Sequence, residues 1–150
     1  QRQMCIRDRV NGGKFRNVGI EAEYGRRLSD RLKWNVSGSY SNPRQKEMNE
    51  NYWKQAAPKL QFTTGIRYES PTWEAGTSFS FVTKRLRNRD GGLNPNIALW
   101  NAYVGYHFNK DATLRLDARN LLDRHNVITN GDYEYWGDPF TYELSYTQKF

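Results

Sequence analysis

Wherever this sequence alternates between apolar and polar residues, its charges fall on one parity only. In residues 140–150, Phe140, Tyr142, Leu144, Tyr146 and Phe150 share a parity that only Gln148 interrupts; Thr141, Glu143, Ser145, Thr147 and Lys149 hold the other. A period of two defines a β-strand with one apolar face and one polar face. The pattern recurs upstream. Val18, Ile20, Ala22 and Tyr24 oppose Asn17, Gly19, Glu21 and Glu23, and Leu32, Trp34, Val36, Gly38 and Tyr40 oppose Lys33, Asn35, Ser37 and Ser39. Residues 60–68, 73–81, 100–108 and 114–118 alternate in the same way. In none of these segments does Asp, Glu, Lys or Arg stand on the apolar parity, although 26% of the chain is charged.

The connections alternate too. Short polar turns at 29–31, 70–72 and 109–111 take turns with long stretches at 41–57, 84–96 and about 123–139. About seven strands joined short, long, short, long predict a sheet with one trimmed rim and one elaborated rim. An apolar outer face, a polar lumen, short turns and long loops together predict an all-β, antiparallel up-and-down transmembrane barrel. Aromatic residues fit two interface belts. Trp34, Tyr68, Trp73, Tyr106, Phe108 and Phe150 fall toward the short-turn rim, and Tyr40, Phe81, Trp100, Phe140 and Tyr142 toward the long-loop rim.

Composition separates this reading from a soluble one. Aromatic residues reach 15% while hydrophobic residues total 37% and mean hydropathy is −0.96. A soluble lipocalin-like barrel, which would turn these rings inward, is the competing architecture. Its strands need not reach the roughly 9–11 residues of a tilted bilayer crossing. A passive porin-like or small structural barrel is the other alternative. A formal charge of +7 suits anionic lipid or nucleic acid, but no RNA-type sheet motif supports the latter. The first nine residues show neither period nor turn chemistry and are expected to be a non-native leader, with Cys5 inside it. Residues 10–150 are expected to be the C-terminal part of a larger barrel. Seven strands do not close an even-numbered barrel, so the rest is expected upstream, with Phe150 as a natural end.

The segment Leu114-Arg-Leu-Asp-Ala-Arg-Asn-Leu-Leu-Asp123 resembles the penultimate-strand motif of TonB-dependent outer-membrane receptors, and the aromatic-ended last strand resembles theirs. Gly19-Ile-Glu-Ala-Glu23, after Gly13-Lys14, is similar to an upstream strand of the same barrels. The sequence departs from the family at His125-Asn126, where a Tyr is often found, and at Trp136-Gly-Asp-Pro139. The resemblance implies a barrel of roughly 22 strands, plugged by an N-terminal domain and importing a scarce ligand such as a ferric siderophore. It implies energy from an inner-membrane TonB complex, outer-membrane lipid and lipopolysaccharide as surroundings, and a Gram-negative outer membrane as location. It also implies that Tyr142, Leu144, Tyr146 and Phe150 form a C-terminal signal read by the barrel-assembly machinery.

Catalytic and metal chemistry find little support. His107 lies on the polar parity of a strand and His125 in a loop, without metal-ligand spacing. Asp132, Glu134 and Asp138 read as a solvated acidic loop. No nucleophile elbow, P-loop or zincin motif occurs, and no cofactor is expected. Glu21, Glu23, Arg67, Arg115, Asp117 and Arg119 read as a hydrated lumen lining. The basic loop at 84–89 offers Arg85, Arg87 and Arg89 as candidate contacts for an anionic ligand or lipopolysaccharide phosphate.

Overall fold

The structure, a computed structural model, describes residues 13–46, 51–52, 54–55, 60–83, 85–86, 93–130 and 134–149. The expected leader, Arg87, Arg89 and Phe150 lie outside the described residues.

Seven long strands form one antiparallel sheet: β1 (Gly19–Arg27), β2 (Leu32–Ser41), β3 (Leu60–Glu69), β4 (Trp73–Thr83), β5 (Ile97–His107), β6 (Ala112–Arg119) and β7 (Thr141–Gln148). Among the described residues each pairs only with its sequence neighbours, so β1 and β7 stand at the two edges of an open meander. The short turns form where local chemistry closes them. Ser70 Oγ accepts from the Trp73 amide at 2.9 Å. Asn109 Oδ1 accepts from the amides of Asp111 and Ala112 at 2.8 and 2.9 Å, an Asx turn that needs only a short polar side chain.

Register is in phase across all six ladders. Trp34 stands opposite Ile66, Ile66 opposite Thr77, Thr77 opposite Ala102, Ala102 opposite Ala118, and Ala118 opposite Tyr142. A slip of one residue would exchange the faces, so this agreement keeps the apolar parities of neighbouring strands on one side. That face is open. Among the described residues the buried apolar side chains are Ala98, Ala112 and Val127, whereas Ile20, Trp73, Val104, Leu116 and Leu144 are exposed. A contiguous apolar face of this extent marks an interface or a lipid surface.

Thr64 and Thr77 sit in the middle of the apolar face for a polar reason. Each hydroxyl donates to a neighbouring strand carbonyl, of Asn35 and Asn101, at 3.1 Å. Each also accepts an indole N–H, from Trp34 at 2.9 Å and Trp100 at 2.6 Å. Both tryptophans thus turn their N–H groups toward the middle of the sheet, where these hydroxyls satisfy them. At the far end of β7, Gln148 Oε1 accepts from the Tyr146 hydroxyl at 2.7 Å, which gives the one polar interruption of that parity a partner on its own strand.

Three features differ from the sequence expectation. β1 runs on to Arg27, which brings Arg26 onto the apolar face opposite Trp34. β5 begins at Ile97, so Val82, Ile97 and Leu99 occupy the otherwise polar face near the long loops. Short pairings also form outside the seven strands, most of them in the long stretches that carry no period: Lys14–Arg16 with Arg44–Lys46, Arg44–Lys46 with Lys54–Gln55, Arg85–Leu86 with Leu93–Asn94, and Val127–Asn130 with Glu134–Trp136. These strands are too short to show a period.

Candidate functional site

The polar face is organised about one guanidinium. Arg115 on β6 grips Asp117 on the same strand through two bonds, Nε to Oδ2 at 2.8 Å and Nη2 to Oδ1 at 2.9 Å. Its Nη1 reaches Glu74 on β4 at 3.2 Å. Its Cζ lies 3.9 Å from the centre of the Tyr103 ring on β5. Planar stacking and a bidentate fork are what arginine supplies and lysine does not. His107 extends the cluster, with Nδ1 2.9 Å from Thr113 Oγ1 and Nε2 3.9 Å from Glu74.

Two glycines make the cluster possible. Tyr103 stands opposite Gly76, and a Cβ at 76 would come within 2.5 Å of the tyrosine ring. Glu74 stands opposite Gly105, and a Cβ at 105 would fall 2.7 Å from its Cγ. The absent side chains let ring and carboxylate lie flat against the sheet. Beside them a concavity of about 390 Å³ is lined by Asn35, Thr63, Arg67, Asn101, Tyr103 and Arg119. Nearer the short turns, Glu69 pairs with Lys33 at 3.6 Å and Arg67 at 3.5 Å. Glu21 and Glu23 lie on the exposed edge strand β1. This face of the sheet therefore presents cations, carboxylates and amides side by side. Among the described residues no group of His, Cys, Asp or Glu could hold a metal ion.

The long-loop end is held by buried polar side chains. β6 stops at Arg119, and the next residues finish pairing the upper part of β5 by other means. The Asn120 amide donates to Asn101 Oδ1 at 3.0 Å, and the Leu121 amide to the Trp100 carbonyl at 2.8 Å. The Asn126 side chain accepts from the Ala98 amide at 3.3 Å and donates to its carbonyl at 3.2 Å, as a neighbouring strand would. Asn120 Nδ2 donates to the carbonyls of Arg124 and Asp138 at 3.0 Å each, and its Oδ1 accepts from the Arg124 amide at 3.2 Å. Asp123 Oδ1 accepts from the Phe140 amide at 2.9 Å, fixing the entry to β7. Asn120 and Asp123 have positive φ, 51° and 45°, a conformation short polar side chains tolerate best. The motif Asn120-Leu-Leu-Asp123 is thus a latch between β6, the last loop and β7.

Arg85 is buried at the same end. Its guanidinium donates to the carbonyls of Pro95, Val127 and Ile128, joining two loop hairpins, and burial lowers its pKa from the ordinary arginine value. Of the three arginines expected to meet a ligand, it is the one among the described residues, and its donors are engaged within the protein. His125 packs edge-on against Trp136, with ring centres 5.4 Å apart.

The aromatic residues expected at the rims cluster at both ends. Toward the short turns, Trp73 and Tyr106 meet edge-to-face at 4.7 Å, Tyr106 and Phe108 at 4.9 Å, and Tyr24 and Trp34 at 5.9 Å; Tyr68 stands opposite Leu32 in the same region. Toward the long loops lie Tyr40, Phe81, Trp100 and the Phe140–Tyr142 pair, 6.3 Å apart. Sequence reasoning missed Arg26, the glycine-floored pairs and the amide latches. A signal existed for the glycines, since Gly76 and Gly105 interrupt otherwise larger residues on the polar parity, and the resemblance marked Asn120 without its bonds.

The model of the TonB-dependent receptor-like β-barrel matches residues 6–121, a stretch that begins inside the segment expected to be a leader. The chain belongs to the TonB-dependent receptor family. No curated protein matches the sequence. Among solved structures, the ferric citrate transporter FecA superposes with a TM-score of 0.77 at 23% identity, covering 91% of this chain and 25% of FecA. The ferric-catecholate import receptor Fiu from E. coli K12, in its closed form, gives 0.74 at 19%, covering 92% and 21%. The copper transporter OprC gives 0.73 at 16%, covering 92% and 24%. These identities speak for the fold alone, and the chain spans about a quarter or less of each structure. In TonB-dependent receptor terms, the open meander is a segment of barrel wall.

Proposed function

We propose that this chain builds part of the wall of an outer-membrane TonB-dependent transporter that imports a ferric siderophore. The observation that carries the reading is the confinement of strand charge to one face of the sheet, with Arg26 at the rim as the one departure. The apolar face would lie against hydrocarbon, and the Arg115 cluster and its neighbouring concavity would line a hydrated lumen. Family membership favours an energised receptor over a passive porin, a soluble lipocalin-like barrel or an enzyme. Two of the three solved relatives named above carry ferric chelates by name and one carries copper, which favours iron. Arg67, Arg119, Asn35 and Asn101 on the concavity suit an anionic chelate. Of the loop arginines, Arg87 and Arg89 remain candidates for its first contact, with lipopolysaccharide as the competing anion, whereas Arg85 is committed to loop carbonyls. The energy-coupling complex would act through a plug domain elsewhere in the protein. The barrel-assembly machinery would read Tyr142, Leu144, Tyr146 and Phe150.

The test is uptake of radiolabelled iron, offered as a panel of ferric chelates, by cells whose only ferric-chelate receptor is the intact protein. Accumulation from at least one siderophore, abolished when the TonB complex is inactivated, is expected. Copper accumulation without iron, or iron uptake indifferent to TonB, overturns the assignment.

A further inference from the structure

We propose that Arg26 and Arg31 form a binding site for the phosphate of an acidic phospholipid at the short-turn end of the apolar face. Arg26 is the one charged residue on that face among the described residues of the seven strands. A bare guanidinium turned toward lipid is costly, and long cationic side chains relieve the cost by reaching for the interface. Arg26 stands beside the rings that mark that interface, opposite Trp34 and two residues from Tyr24. Arg31, across the turn, meets the hydroxyl of Tyr68 on the same face.

The charge around this turn is not balanced. Asp30 is its one carboxylate. The other two cations of the turn are engaged: Arg27 donates to the Asp30 carbonyl at 3.0 Å, and Lys33, on the polar face, pairs with Glu69 at 3.6 Å. Neither Arg26 nor Arg31 is ion-paired with a carboxylate among the described residues. The other short turns offer no such pair, since one is flanked by Glu69 and Glu74 and the other sets Lys110 against Asp111. A phosphate accepting from both guanidiniums would receive charge-assisted bonds, while Trp34 and Tyr24 flank the glycerol region. The occupant is a phospholipid with net negative charge. Lipopolysaccharide would enter at the opposite, long-loop end.

This inference rests on the membrane reading above. The experiment is native mass spectrometry of the intact receptor, purified in detergent and titrated with phosphatidylglycerol or with phosphatidylcholine of the same acyl chains. The wild type should retain phosphatidylglycerol in preference. Each arginine should contribute about fivefold, so R26Q/R31Q should fall to the phosphatidylcholine level while R26K keeps most of the preference. K110Q, at the third short turn, should change nothing. Heat-modifiable gel mobility identifies the folded receptor in each sample, and lipid counts are taken on that species. Equal retention of the two lipids by the wild type, or a preference that survives R26Q/R31Q or falls equally in K110Q, overturns the site. A receptor that stays dispersed without detergent would instead overturn the membrane reading itself.

Discussion

Leu144, in the middle of β7, is 65% exposed, whereas Asn120, at the base of the last long loop, is 1% exposed. The two regions around them differ in the same sense. Across the wall, Val104, Leu116 and Ile66 face outward uncovered; at the loop base Arg85, Asn94, Asn120 and Asn126 are buried. In water the hydrophobic effect would favour the opposite partition. The wall is therefore held by ladder hydrogen bonds, and its uncovered apolar face is what the proposed membrane setting would cover. The loop base lies where strand pairing runs out, and side-chain amides of Asn120 and Asn126 replace the missing ladder. Substitutions should separate these two modes of cohesion.

The largest effect is expected from Val104→Arg. A charge near the middle of the lipid-facing wall costs about 2–4 kcal/mol, and the folded fraction in purified outer membranes should fall accordingly. Ser39→Arg places the same side chain on the polar face opposite Glu21, and near-normal folding is expected. Gly105→Arg, one residue from Val104, is a poorer contrast than the alternation suggests, because Glu74 already lies over Gly105. It should fall between the two. Equal losses from Val104→Arg and Ser39→Arg would mean that the faces are not distinguished by their surroundings.

Much of the wall was legible in the sequence because a period of two runs along each of its strands. The seven strands, the short turns and the facing of Val104 or Leu144 follow from it. Arg26 was not legible, because its strand continues past the last apolar partner into a basic turn where the pattern itself gives no sign. The loop base was less legible still. Asn120 and Asn126 act on Asn101 and Ala98, 19 and 28 residues away, and no periodicity encodes a contact of that kind. The resemblance pointed at Asn120-Leu-Leu-Asp123 without saying what it does. The geometry gives it a fastening role.

Asn120→Ala should therefore act on the loop base and spare the wall. It strands two carbonyls and one amide and puts alanine in the left-handed region, a loss of about 2–3 kcal/mol. Limited proteolysis should cut within 121–139 while the strands stay protected. Asn120→Gly, which keeps the backbone conformation but not the bonds, should lie in between. Loss of strand protection at the same rate would show that loop base and wall unfold as one unit. On the polar face, Arg115→Lys keeps the charge but gives up the fork to Asp117 and the stack on Tyr103. About 1 kcal/mol is expected in detergent unfolding, with no change in protease sensitivity at the last loop.

The smallest effect is expected from Lys33→Gln, and it sharpens the comparison because the wall's polar face also carries ion pairs. Lys33 and Glu69 are 3.6 Å apart with side chains 59% and 50% exposed, and Arg67 approaches the same carboxylate at 3.5 Å. Exposed pairs contribute about 0–1 kcal/mol and are screened by salt. Removing Lys33 also leaves Glu69 with a cation. Detergent unfolding of the variant should match the wild type within that range, with any difference vanishing at high salt. A loss as large as that of Arg115→Lys, persisting in salt, would mean that water does not reach this part of the polar face. The division between a wetted polar face and a water-excluding loop base would then fail at its most exposed point.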